Sequence, residues 1–178
     1  MRRADDPPEQ MVWQGRYLAA MTRGKWEYVS RCRGITAAVI LAVHDDSLIL
    51  VEQYRVPLGA MCLELPAGLV GDDIDGEAAE IAAARELEEE TGYRAAHMSE
   101  LGRFYASPGM SSEGFTLLRA ERLDRVGAGG GVAGEGIIVH RVPLGEIAAF
   151  VTAKRAEGCA IDVKLLLALG SDYLKLSA

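Results

Sequence analysis

No run of apolar residues in this 178-residue chain approaches the 18 or more that a membrane-crossing helix needs. The longest, Ile35 to Val43, is far too short. Cysteine is scarce: Cys32, Cys62 and Cys159 are odd in number, far apart and form no CxxC pair. They fit idle thiols in a reducing compartment, not a disulfide framework or a zinc site. Positive charge is in deficit, with 19 Lys and Arg against 26 Asp and Glu, a formal net charge of −7 and a pI near 5.0. A general nucleic-acid binder is built from clustered Lys and Arg, so that class is excluded. The opening MRRADDPPEQ lacks the apolar core of a secretory signal. The expected location is cytoplasmic.

What is present is ordinary for a folded domain: 49% hydrophobic and 25% charged residues. A chain this long buries roughly 70% of its unfolded surface in one main core. Residues 1–10 read as a loose tail, charged and Pro-bearing without period. Residues 1–25 are expected to form that tail with a possible dimerisation strand, and 26–178 the main domain. Trp26 to Cys32 and Ile35 to Val43 read as strands. Asp45, Asp46 and Ser47 make a turn into Leu48 to Tyr54, with Leu48, Leu50 and Glu52 on one face and Ile49, Val51 and Gln53 on the other. Further strands are expected at Leu101–Ala106, Phe115–Ala120 and Gly136–Val142, with the glycine-rich stretch Gly127 to Gly136 as a flexible hairpin tip. Leu144–Arg155 and Asp162–Leu169 read as C-terminal helices. The mixture predicts an α+β or α/β/α sandwich and not a doubly wound sheet.

Glu77 to Thr91 carries the strongest helical pattern, Ala-rich with Ile81, Ala84 and Leu87 on one face. Asp75 is placed to cap its start, and Gly92 to end it in a left-handed conformation. Within it Glu86, Glu89 and Glu90 stand at i, i+3 and i+4 and converge on one face, while Glu88 points away. Like charges at these spacings cost on the order of 0.2–0.5 kcal/mol per pair, and the helix dipole disfavours anions at this end. Arg85 can relieve Glu89 at i+4 but not all three. Oxygen-only ligands suit Mg²⁺ or Mn²⁺, and Mg²⁺ takes one or two carboxylates with substrate phosphates, which points to phosphoryl chemistry. A solvated acidic face is the other reading, and composition alone does not separate the two.

Residues 71–93 resemble the Nudix signature G-x5-E-x7-R-E-U-x-E-E-x-G-U, where U is a large apolar residue. It is filled at Gly71, Glu77, Arg85, Glu86, Leu87, Glu89, Glu90, Gly92 and Tyr93. The glycine of ELPAG, Gly68, lies three residues too early to begin it, which implies an insertion in the loop. VEQYR at 51–55, LELPAG at 63–68, SPGMSSE at 107–113 with Pro108 fifteen positions past Tyr93, and IDVKLLLAL near the end are similar to the ADP-ribose pyrophosphatase branch.

That resemblance implies a Nudix-type α/β/α sandwich with a mixed sheet and a central catalytic loop-helix. It implies Mg²⁺-dependent hydrolysis, with Mn²⁺ possible, of ADP-ribose or a related nucleoside diphosphate sugar by a homodimer. Glu86, Glu89, Glu90 and the Ala67 carbonyl would hold metal. Glu113, in a loop of small residues, would act as metal ligand or general base; Glu89 and Glu86 are the other candidates for the proton. Arg85 would orient a glutamate, and Glu77 would anchor the helix start. Gly71 and Gly92 would shape its ends, and Arg55 would bind phosphate. Trp26 or nearby Trp13 could stack an adenine, although such residues also pack cores and interfaces. His44, His97 and His140 are isolated and receive no role. GDP-mannose and ADP-glucose are alternative substrates, and a non-catalytic nucleotide sensor is the alternative of another class.

Overall fold

The computed structural model describes residues 6–71, 76–132 and 134–170. Three strands open the chain, β1 (Glu9–Gln14), β2 (Leu18–Arg23) and β3 (Trp26–Arg31), and pair as an antiparallel sheet of their own. The expected tail is therefore shorter than ten residues: Glu9 and Gln10 pair with Arg23 and Thr22. Arg23 and Tyr28 both bond the Glu9 carboxylate, which explains why this charged stretch is ordered.

The main body is a mixed sheet in two halves. β4 (Thr36–His44) pairs with β7 (Ala67–Val70) and lies parallel to β9 (Phe115–Arg125), whose other edge carries β8 (Tyr93–Phe104). β5 (Ser47–Arg55) pairs with β6 (Ala60–Glu64) and β10 (Ile138–Pro143), and β11 (Ala160–Ile161) lies parallel to β6. The β4–β5 hairpin joins the halves, its turn residues Asp45 and Asp46 both at positive φ.

Alternation along β4 produces three layers. Ala38, Ile40 and Ala42 face α1 (Ala79–Thr91), while Val39 and Leu41 face the side covered by α2 (Ile147–Ala156) and α3 (Leu165–Ala168). β5 divides in the same way, with Leu48 and Leu50 in one core and Ile49 in the other. The α+β class and the α/β/α layering agree with the sequence reading. All three cysteines are buried free thiols. Among the described residues no helix is long and apolar enough to cross a membrane.

Several boundaries differ. α1 starts at Ala79, its N-cap Ala78 offers no side-chain bond, and the expected Asp75 cap lies outside the described residues. The buried face of α1 is Ala82, Ala83, Leu87 and Glu90, and Ile81 is 63% exposed. Alanines let the helix sit close on the sheet, so the stripe is phased on them and not on the bulkier isoleucine. β8 begins at Tyr93, well before Leu101. The two C-terminal helices are shorter than expected. β6 and β7 are strands the pattern did not reveal, because LELPAG is interrupted by its own proline. The glycine-rich stretch is not a hairpin tip, since β9 and β10 pair with different strands.

On the face away from α1, buried Glu52 accepts from Lys154 Nζ at 2.9 Å and bonds His140 Nε2 at 2.7 Å, pinning α2 and β10 to β5. Burial pushes the Glu52 carboxyl up, but the bonds from Lys154 and His140 outweigh it, so its pKa lies below the ordinary 4.5. A lowered acid contributes stability that is complete above 4.5 and drains away as pH falls through the folded value. Glu52→Gln should therefore be less stable than the wild type at neutral pH, with the gap narrowing below pH 4.5. Urea midpoints measured across that range check this.

Candidate active site

The acidic end of α1 meets the backbone of β7. Glu90 is 6% exposed, and its Oε2 accepts the Ala67 N–H at 3.1 Å. Gly68 lies so close to Glu86 that a Cβ there would fall 2.0 Å from Glu86 Cγ, so any larger residue would push the Glu86 side chain from its place. Burial raises the Glu90 carboxyl most strongly; the Ala67 amide and Arg55 pull it down, Glu86 and Glu135 push it up, and the outcome is about 8. A carboxyl held this high by burial first, with two neighbouring acids adding to it, sits where positive charge is short.

Arg85 answers part of that shortage, lying 3.0 Å from Glu86 Oε1, 3.6 Å from Glu89 Oε2 and 3.8 Å from Glu77 Oε2. Burial opposes its charge, but Glu86, Glu89 and Glu77 together raise its pKa. Glu77 is almost wholly buried beneath it, at the foot of the helix. Glu88 turns away to bond Arg94, as its helical phase requires. Gly92 ends the helix at φ 73, and Gly71 also takes a positive φ of 84.

A cavity of about 370 Å³ opens beside the Ala67–Gly68 backbone, walled by Arg31, Arg55, Glu64, Glu113, Phe115 and Lys164 among others. Glu113 reaches it from the 107–113 loop and accepts from Arg31 Nε at 2.5 Å. Arg55 is gripped by buried Glu64 through two bonds of 2.6 and 2.9 Å, a bidentate geometry that fixes its fork. Lys164 Nζ sits 2.5 Å from Asp162. Trp26 is 59% exposed and lines a neighbouring cavity of about 440 Å³ with Arg23, Tyr28 and Ser112. The 107–113 loop borders both cavities, and it is stitched to β3 through Val29 N to Met110 O, Ser112 N to Val29 O and Ser112 Oγ to Ser30 Oγ. Trp13 is exposed on β1.

Among the described residues no three His, Cys, Asp or Glu side chains are gathered into a preformed metal cage. Glu86 faces Arg85, Glu89 is partly solvated, and Glu90 turns to the Ala67 amide. The donor set still suits a hard cation, which needs only one or two carboxylates and completes its shell with water and phosphate. Arg31, Glu64, Lys164 and Glu135 escaped the sequence reading. The first three reach the cavity from separate segments, and Glu135, in the glycine-rich stretch, adds its negative charge to the field at Glu90.

A mixed sheet carrying one acidic helix against a strand backbone, beside a polar cavity, defines the class: an α/β/α domain with its titratable groups gathered at one helix end. The Nudix domain profile matches residues 33–136. The chain belongs to the Nudix family. It is 43% identical to an ADP-ribose pyrophosphatase of Bacillus subtilis over 88 residues, 49% of this chain and 46% of that protein. The chain thus spans less than half the length of that relative. It is 35% identical to a GDP-mannose pyrophosphatase of Cronobacter sakazakii over 146 residues, 77% of this chain and 72% of that one. The fold matches the crystal structure of an ADP compounds hydrolase with a TM-score of 0.68 at 24% identity, covering 85% and 84% of the two chains.

The Gly68 approach is directly testable. Gly68→Ala forces a methyl into Glu86, and overpacking of this kind costs about 1–3 kcal/mol. A urea midpoint lowered by that amount, against an unchanged midpoint for Gly109→Ala, where a Cβ meets open space, is the expected result.

Proposed function

We propose that this protein hydrolyses the pyrophosphate bond of ADP-ribose or a related nucleoside diphosphate sugar, giving AMP and ribose 5-phosphate. The observation that carries this reading is the meeting of buried Glu90 and close-packed Glu86 with the Ala67–Gly68 backbone at the wall of a cavity that also holds Arg55 and Glu113. The named relatives act on nucleotides of this chemical class. Glu86, Glu89 and Glu90, with the Ala67 carbonyl, would hold Mg²⁺ or Mn²⁺. A cation there supplies the charge that offsets a diphosphate and makes water more acidic.

The chain's own residues do the rest. Water adds its oxygen to one phosphorus, the bridging P–O bond breaks, and both products leave as phosphomonoesters. The proton of the attacking water goes to a carboxylate, for which Glu113 is the first candidate and Glu89 and Glu86 the others. Arg85 holds Glu86 and Glu89 in place; Glu77 braces Arg85 from below. Arg55, fixed by Glu64, offers a rigid cation to phosphate. Trp26 stacks the base in the adjoining cavity. Gly71 and Gly92 set the helix ends.

A homodimer is the assembly we propose, with residues 1–25 contributing to it. Support comes from Met11, Val12 and Trp13 on β1 and Tyr17 in the connection to β2, large apolar side chains all at least half exposed. A cytoplasmic setting accords with three free buried thiols. The Cronobacter relative keeps GDP-mannose as the second substrate reading.

Product analysis from ADP-ribose, GDP-mannose and ADP-glucose with Mg²⁺ in ¹⁸O-labelled water tests the proposal. AMP and ribose 5-phosphate are expected, with label in one of them. Glu90→Gln should lower turnover by roughly 100-fold or more; Glu113→Gln should lower kcat more than it changes KM. Unchanged turnover in Glu90→Gln would sink the assignment.

A further inference from the structure

The glycine-rich stretch after β9 is not spent on a turn; it is packed against the end of α1. An α-helix leaves its last carbonyls without intrahelical partners. Here Gly92 N serves Glu88 O at 2.9 Å, and the next two carbonyls are filled by the far segment: Gly131 N donates to Glu89 O at 3.0 Å and Gly130 N to Glu90 O at 2.8 Å. Val126 N and Gly127 N both donate to Gly92 O. No basic side chain stands in the last turn to do this work. Ile137 N closes the segment on Gly130 O, and the Ile137 side chain lies over Gly131.

The approach is close enough to demand glycine. A Cβ at Gly129 would lie 2.4 Å from Thr91 C and 2.6 Å from Glu90 O, and one at Gly92 would lie 2.4 Å from Gly127 O. Both obstacles are backbone, which cannot rotate aside. The residues whose carbonyls are capped, Glu89 and Glu90, are two of the three helix acids whose side chains the proposed chemistry needs in a set direction.

We infer that Gly129, Gly130 and Gly131 form a latch that positions Glu89 and Glu90 for a divalent cation, Gly129 by its close approach and Gly130 and Gly131 by capping the two carbonyls. Its glycines are positioning residues, touching neither cation nor substrate. This rests on the metal reading given above. Contacts behind metal ligands typically affect affinity by about 10–100-fold.

Gly136 supplies a matched control: it lies in the same segment with a similar left-handed φ of 62 against 71 for Gly129, but a Cβ there meets nothing within 4 Å. The experiment is Mn²⁺ titration followed by electron paramagnetic resonance on full-length protein without nucleotide, paired with amide exchange at Gly130 and Gly131. Gly129→Ala should weaken Mn²⁺ binding about 10–100-fold and expose both amides, while Gly136→Ala stays within about twofold of the wild type. Should Gly129→Ala fail to fold, Ile137→Ala loosens the same segment and should weaken Mn²⁺ in step with lost amide protection. Gly129→Ala binding Mn²⁺ like the wild type, or Gly136→Ala falling equally, overturns the latch. A wild type with protected amides that takes up no Mn²⁺ overturns the metal reading, and the latch's purpose with it.

Discussion

Everything in the site follows from packing acids at the wrong end of a helix. Glu86, Glu89 and Glu90 repel one another, sit where the dipole is negative, and in the case of Glu90 are also removed from water. Left alone, that arrangement would splay or stay protonated. The chain answers with Arg85 against two of the carboxylates and a backbone amide, Ala67 N–H, against the third. Neither response fully compensates: burial still holds the Glu90 carboxyl up, and Glu86 and Glu135 add to it. The residual deficit is what a hard cation would fill, and it is built by the fold before any ligand arrives.

The geometry that sustains this deficit is a convergence of three remote segments. β7 brings the amide, with Gly68 permitting contact. The helix brings the acids. The glycine segment after β9 closes the helix end. Each joint uses glycine where a methyl would strike backbone or a glutamate stem, at Gly68, Gly92 and Gly129. Rigidity here comes from close approach and satisfied carbonyls, and it places carboxylates more precisely than flexible side-chain pairing would.

Legibility in the sequence followed the range of each interaction. The Glu86, Glu89 and Glu90 cluster, its Arg85 partner and the Gly92 terminus are set by helical spacing, and all were readable from consecutive residues. The two-sided burial of β4 and β5 was readable for the same reason. Glu64, Arg31 and Lys164 were not, because strand pairing and the chain's return bring them to the cavity from far apart. The glycine run misled in a particular way. Composition says such a segment has no side chains to pack, but here backbone packs on backbone, and that leaves no compositional trace. Ile81 misled too, since periodicity finds an apolar stripe without knowing how close the helix must come.

The cavity adds a last constraint. The three cations that line it are each already paired: Arg31 with Glu113, Arg55 with Glu64, Lys164 with Asp162. Their charges are largely spent, so they present fixed hydrogen-bond donors and little net attraction. A diphosphate entering such a cavity would exchange water for pre-bonded cations, a poor trade for a multiply charged anion. Favourable entry would need positive charge from outside the protein's own inventory, and among the described residues the end of α1 is the surplus of negative charge beside the cavity that could recruit it. The net charge of −7 is then no obstacle, because the local field is decided by what those carboxylates attract and not by the sum over the chain.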